Sequence, residues 1–240
     1  MIKKLIILVF VALVLNACSK TTVTETPNNN NPSDTAINKK FRYLALGDSY
    51  TIGHSVNAEE RFPEQLVGLL KSAGYNSVQL EIIAKTGWTT GELLSAIDTE
   101  NPADNYNLVT LLIGVNNQYR GLDTNEYRKE LKVLLNRAIS FAAGSAERVI
   151  IVSIPDYGVT PFAQSMDTAK IAREIDAYNA IKYNEASNYS VKFINITSIS
   201  RKAKTVTDLI ATDGLHPSGK MYAEWVEKIY PYALQILQSQ

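Results

Sequence analysis

From Phe41 onward, short apolar runs alternate with longer stretches of helical spacing, and this alternation constrains the fold more than any other feature of the chain. Arg42–Leu46, Val78–Ile83, Leu108–Ile113, Val149–Ser153 and Val191–Ile196 read as strands. The third and fourth are almost wholly apolar, as parallel strands covered on both faces are. Helical patterns fill the gaps: Phe62–Ala73 closing on Gly74, Thr90–Ile97, Thr124–Ala143, Thr168–Ser187 and Gly219–Leu237. In the third of these, Leu131, Leu134, Leu135 and Ala138 recur at helical spacing. Such a chain folds through right-handed crossovers into a mainly parallel five-stranded sheet between two helical layers, an α/β/α sandwich.

The N-terminus reads as an address. Lys3 and Lys4 precede an apolar run, Leu5–Leu15, which is shorter than the ~20 residues that span a bilayer. A basic head and a short apolar stretch are the pattern of a secretory signal. The run ends in Leu15-Asn16-Ala17-Cys18, which resembles the bacterial lipobox, with Asn16 a less common residue at its place. That resemblance implies lipidation of Cys18, a signal over residues 1–18 and a domain attached to the cell envelope, facing periplasm or exterior. Ser19–Lys39, rich in Thr, Asn and Pro, reads as a disordered tether, leaving residues 40–240 as the folded domain. Cys18 is the only cysteine, so no internal disulfide forms. Acidic and basic residues balance at 24 each, which gives no reason to expect a nucleic-acid partner.

In a parallel sheet, functional residues gather at the carboxyl ends of the strands. Gly47-Asp48-Ser49-Tyr50, Thr86-Gly87-Trp88-Thr89-Thr90 and Gly114-Val115-Asn116-Asn117 leave three such ends, and Asp213-Gly214-Leu215-His216-Pro217 precedes the last helix. A serine hydroxyl is a weak nucleophile and needs a base within hydrogen-bond reach. The chain has two histidines, His54 and His216. His216 is the natural base for Ser49, and Asp213, three residues earlier, is placed to fix its tautomer. Pro217 is expected in the first turn of the closing helix. The Ser49 and Gly87 N–H groups and the Asn116 amide are candidate donors to an oxyanion.

These blocks, in this order, resemble those of the SGNH hydrolases, the GDSL esterase/lipase family, across Arg42 to about Leu237. The resemblance implies a flavodoxin-like fold. It also implies that Ser49, Gly87, Asn116 and His216 are the four residues the family is named for, with Asp213 completing a catalytic triad. It further implies hydrolysis of carboxylic esters without metal or organic cofactor. Tyr50 stands where the family has leucine, and Asn117 where it usually has aspartate.

Metal catalysis is not expected from two histidines outside any His-x-x-x-His pair, and no P-loop is present. Three readings stand. The first is an ester hydrolase acting on a small-molecule, glycan or lipid ester, with short acyl groups on sugars or small alcohols favoured because no long apolar lid is visible. The second is a non-catalytic envelope lipoprotein that binds glycans or lipids. The third is an acyltransferase using the same residues. His54 reads as a solvated loop residue near the rim, Trp88 as a packing residue or a pocket wall, and Tyr119 and Tyr157 as rim tyrosines.

Overall fold

The computed structural model describes residues 40–240. The proposed signal, the lipobox Cys18 and the tether lie outside the described residues. Five parallel strands form one sheet: β1 (Lys40–Gly47), β2 (Ser77–Ala84), β3 (Leu108–Leu112), β4 (Val149–Val152) and β5 (Lys192–Ile194). Their spatial order is β2-β1-β3-β4-β5, and every neighbouring pair is parallel. β3 and β4 are buried at every position, as their unbroken apolar sequences require.

The helices, in chain order, are α1 (Ser49–Ile52), α2 (Phe62–Ser72), α3 (Thr90–Glu100), α4 (Val115–Tyr119), α5 (Thr124–Phe141), α6 (Thr168–Asn188), α7 (Thr197–Ser200) and α8 (Gly219–Gln238). α2 packs on α8, while α5 packs on both α3 and α6, which gives the two helical layers. Side chains close the N-termini. Thr89 and Glu92 form a capping box on α3, Asp123 accepts from two N–H groups of α5, and Ser218 caps α8. Pro217 therefore lies outside the last helix, one residue before its cap. It pairs with Ile210 in an isolated antiparallel bridge instead of occupying the first helical turn.

The order β2-β1-β3 contains a switch point. After β1 the chain turns to one side of the sheet, and from β3 onward it proceeds to the other, which opens a crevice above the carboxyl ends of β1 and β3. Register aligns the loops there, because Gly47 pairs with Ala84 on one side and Leu112 on the other. β1, β2 and β3 thus end level, and Ser49, Gly87 and Asn116 follow within a few residues.

Gly47 permits this close approach. A Cβ at that position would collide with the Leu112 carbonyl and the Thr51 side chain. Gly47→Ala is expected to cost about 3 kcal/mol, as overpacking of a closed core does, and to lower the midpoint of urea unfolding without changing its slope. A midpoint equal to wild type would contradict this account of the strand end.

Candidate active site

Ser49 opens α1 immediately after the cap residue Asp48, whose Oδ1 accepts from the Tyr50 N–H at 3.0 Å. Asp48 is fully buried. Burial raises its carboxyl to about 7, with the Tyr50 N–H and the Lys182 charge pulling it back down. Lys182, also fully buried, donates to the Val152 carbonyl at 2.8 Å, and burial lowers its ammonium to about 7. Each carries charge that offsets part of the other's desolvation.

The block before α8 folds as its spacing suggests. Asp213 Oδ2 meets His216 Nδ1 at 2.6 Å, and Asp213 Oδ1 accepts the backbone N–H groups of Leu215 and His216, each at 3.0 Å. Ser55 Oγ also donates to Asp213 Oδ2, at 2.8 Å. Burial alone would raise the Asp213 carboxyl, but these four donors outweigh it and hold it well below the usual carboxylate range. Burial lowers His216. The Asp213 hydrogen bond and charge pull it back without cancelling that, and His54 adds a push downward. The imidazole is therefore neutral at lower pH than an ordinary histidine, with Nδ1 committed to Asp213 and Nε2 left for other work.

Ser49 and His216 line one cavity together with Tyr50, Thr86, Gly87, Val115, Asn116, Tyr119, and the outer wall described below. Every sequence-predicted block is thus represented in it. Ser49 and His216 are not hydrogen-bonded to each other among the described residues; a catalytic bond of this kind is often long before substrate arrives. The Asn116 amide donates to the Trp88 carbonyl at 2.9 Å, which orients it and leaves a second N–H to donate from a residue that lines the cavity. Gly87 sits at φ +89°, a left-handed conformation that suits glycine, and Arg120 clamps its carbonyl at 2.5 Å. The Ser49 and Gly87 N–H groups find no acceptor among the described residues.

The departures from the family pattern have physical readings. Asn117 is buried, with Oδ1 accepting from the Thr90 N–H at 3.1 Å and Nδ2 donating to Thr90 Oγ1 at 2.6 Å. Thr90 Oγ1 in turn donates to Glu130. A carboxylate at 117 only accepts, so the amide lets the Thr90 hydroxyl serve both neighbours. Tyr50 packs its buried ring 5.3 Å from that of His216. Trp88 is half-buried against the core and does not line the cavity.

The contacts of four residues were not legible in the sequence. Ser55 adopts a left-handed φ of +67° and reaches Asp213. Thr86 Oγ1 holds His54 Nδ1 at 2.9 Å. His54 itself, exposed, brings its ring centroid within 4.6 Å of His216. Phe162 completes an aromatic wall with Tyr119 and Tyr157, the ring centroids lying 5.9–6.5 Å apart.

Against known families, residues 45–224 match the model of the GDSL-like Lipase/Acylhydrolase family. The chain belongs to that family. It is accordingly an ester-bond hydrolase by class, and its blocks lie within the matched span. No curated protein matches it. Among solved structures it is similar to that of TesA, at 18% identity and TM-score 0.62 over 81% of this chain and 99% of that one. An EstA esterase from Pseudoalteromonas sp., inhibited by monoethylphosphonate, is 19% identical, with TM-score 0.57 over 82% and 98%. Axe2, an acetylxylan esterase from Geobacillus stearothermophilus, is 18% identical, with TM-score 0.59 over 80% and 94%. At these identities the likeness bears on the fold of the GDSL-like domain, and its chemistry is argued from the side chains.

Proposed function

We propose that this domain cleaves short acyl esters through an acyl-enzyme on Ser49, with His216 as base and Asp213 as the residue that orients it. The observation that carries the proposal is the 2.6 Å bond between Asp213 and His216 at the mouth of a cavity lined by Ser49, Gly87 and Asn116. His216 Nε2 takes the proton as Ser49 Oγ forms a bond to the ester carbonyl carbon. The carbonyl oxygen becomes an oxyanion held by the N–H groups of Ser49, Gly87 and Asn116. The tetrahedral adduct collapses, the C–O bond to the alcohol breaks, and His216 returns the proton to the departing oxygen. Water then repeats the sequence on the acyl-enzyme and releases the acid. Three donors aimed at the oxyanion are the largest contributors, each worth about 2.7–4 kcal/mol where one has been removed.

Cavity size supports the short acyl group. Its volume is about 160 Å³, below the roughly 300–1,000 Å³ of clefts that enclose larger ligands. The exposed rings of Tyr119 and Phe162 offer faces on which an alcohol or sugar ring packs, and the likeness to an acetylxylan esterase points the same way. Lipidation at Cys18 would hold this activity at the bacterial envelope, acting on acylated glycans or small esters beside the membrane.

A series of p-nitrophenyl esters from acetyl to decanoyl tests the acyl preference. The expected kcat/KM is highest from acetyl to butyryl and falls steeply beyond. A rate that rises toward decanoyl would overturn the assignment of a short acyl pocket.

A further inference from the structure

The two histidines of the chain lie far apart in sequence, yet they meet with ring centroids 4.6 Å apart. Together with Asp213 they offer one ligand atom each, all within 4.8 Å of one another. His54 and Asp213 are exposed, so an ion reaches them from solvent. Thr86 Oγ1 holds His54 at Nδ1, 2.9 Å away. An oxygen on the other ring nitrogen is the outer partner that metal-binding imidazoles ordinarily have, and it leaves His54 Nε2 as the nitrogen available to an ion. Ser55 Oγ donates to Asp213 Oδ2 at 2.8 Å, the oxygen that also faces His216 Nδ1, and so holds the carboxylate beside both imidazoles. Two imidazoles and a carboxylate are the donor set of three-ligand zinc sites, with the fourth position left to water. Imidazole nitrogen selects zinc-like ions over magnesium or calcium. The ester chemistry, by contrast, makes no use of His54.

We propose that His54, Asp213 and His216 bind Zn²⁺, and that the bound ion switches hydrolysis off by taking the imidazole and carboxylate that serve Ser49. The inhibition rests on the catalytic reading above; the binding does not. Coordination forms two Zn–N bonds and one Zn–O bond and releases any proton held on the ligating nitrogens, with no change of oxidation state. Donors around a tetrahedral ion with bonds of about 2.0–2.1 Å lie about 3.3 Å apart, so the site adjusts by movement of the exposed His54 side chain and by exchange of the Asp213–His216 hydrogen bond for bonds to the ion.

Calorimetric titration with Zn²⁺ and the visible spectrum with Co²⁺ read the binding. The p-nitrophenyl acetate rate, normalised to each variant's own metal-free rate, reads the inhibition. Wild type is expected to bind a single equivalent and to lose activity over the same Zn²⁺ range, with recovery on chelation. His54→Gln should weaken binding and inhibition together by more than about tenfold, and Thr86→Val by about tenfold. Ser49→Ala should bind Zn²⁺ as wild type does. If it also retains hydrolysis, the catalytic reading fails while the metal site stands. A wild type that binds no Zn²⁺, or a folded His54→Gln that binds it with unchanged affinity, overturns the proposal. Thermal melts without metal establish that the variants are folded, and Thr86→Val, which keeps both histidines, decides the matter should His54→Gln unfold.

Discussion

Ser49→Ala is expected to lower kcat for p-nitrophenyl acetate by about 10⁵–10⁶-fold while leaving Tm within a degree or two of wild type. The magnitude follows from the role: loss of the nucleophile in a serine hydrolase removes the covalent route entirely, and only donor groups and binding remain to accelerate attack by water. The stability expectation follows from the structure. Asp48, not Ser49, caps α1 by accepting the Tyr50 N–H, and Ser49 Oγ makes no hydrogen bond among the described residues whose loss would strand a buried partner. Alanine is also tolerated at a first helical position. Circular dichroism melts and steady-state kinetics on the same preparation check both halves. A variant that keeps more than a few per cent of the wild-type rate removes Ser49 from the mechanism.

Asp213→Asn is expected to lower kcat by about 10⁴-fold, the loss seen where a triad carboxylate becomes an amide and the histidine is left in the wrong tautomer. In the proposed mechanism Asp213 does not touch the substrate, so a second readout is needed to separate a positioning role from simple damage. The acid limb of kcat/KM reports the base in the free enzyme. Burial lowers His216, whereas the hydrogen bond and charge of Asp213 raise it. The wild-type limb should therefore fall below the ordinary histidine value. The residual activity of the variant should have its limb at lower pH still, because the group that favoured the imidazolium is gone. A limb that moves upward would contradict the assigned pairing. Asp213→Glu, which keeps the charge at a longer reach, should recover part of the rate.

The strands and long helices were legible because burial on two faces, or on one helical stripe, writes directly into residue order. β3 and β4 are buried throughout and apolar throughout. The limits differ where that signal fades. α3 runs three residues past the apolar pattern to Glu100, because its last turn is exposed and carries no periodicity. β5 is three residues long where six were expected, since the chain leaves the sheet once its backbone turns to the Ser153 hydroxyl at Ile196. α1, α4 and α7, at four or five residues, are too short for any period to register.

In the site, the separation of Asp213 and His216 could be read because it is local. The switch-point order, β2-β1-β3, then joins the serine, glycine and asparagine blocks. The contacts of His54, Ser55 and Thr86 were not legible. They depend on a left-handed turn at Gly53 and Ser55 that carries His54 across to Thr86 and Ser55 across to Asp213, two loops distant in sequence. Pro217 shows the converse. A residue typical of a helix start is used instead in a β-bridge that steadies the histidine loop.

The central claim is that Ser49 is a nucleophile activated by His216, and covalent labelling tests it most directly. Folded protein is treated with a fluorophosphonate, and the adduct is located by peptide mass spectrometry. The account predicts a single adduct on Ser49, formed rapidly in wild type, far more slowly in His216→Ala and not at all in Ser49→Ala. Folded wild-type protein that carries no adduct on Ser49, or that labels equally fast without His216, would contradict it.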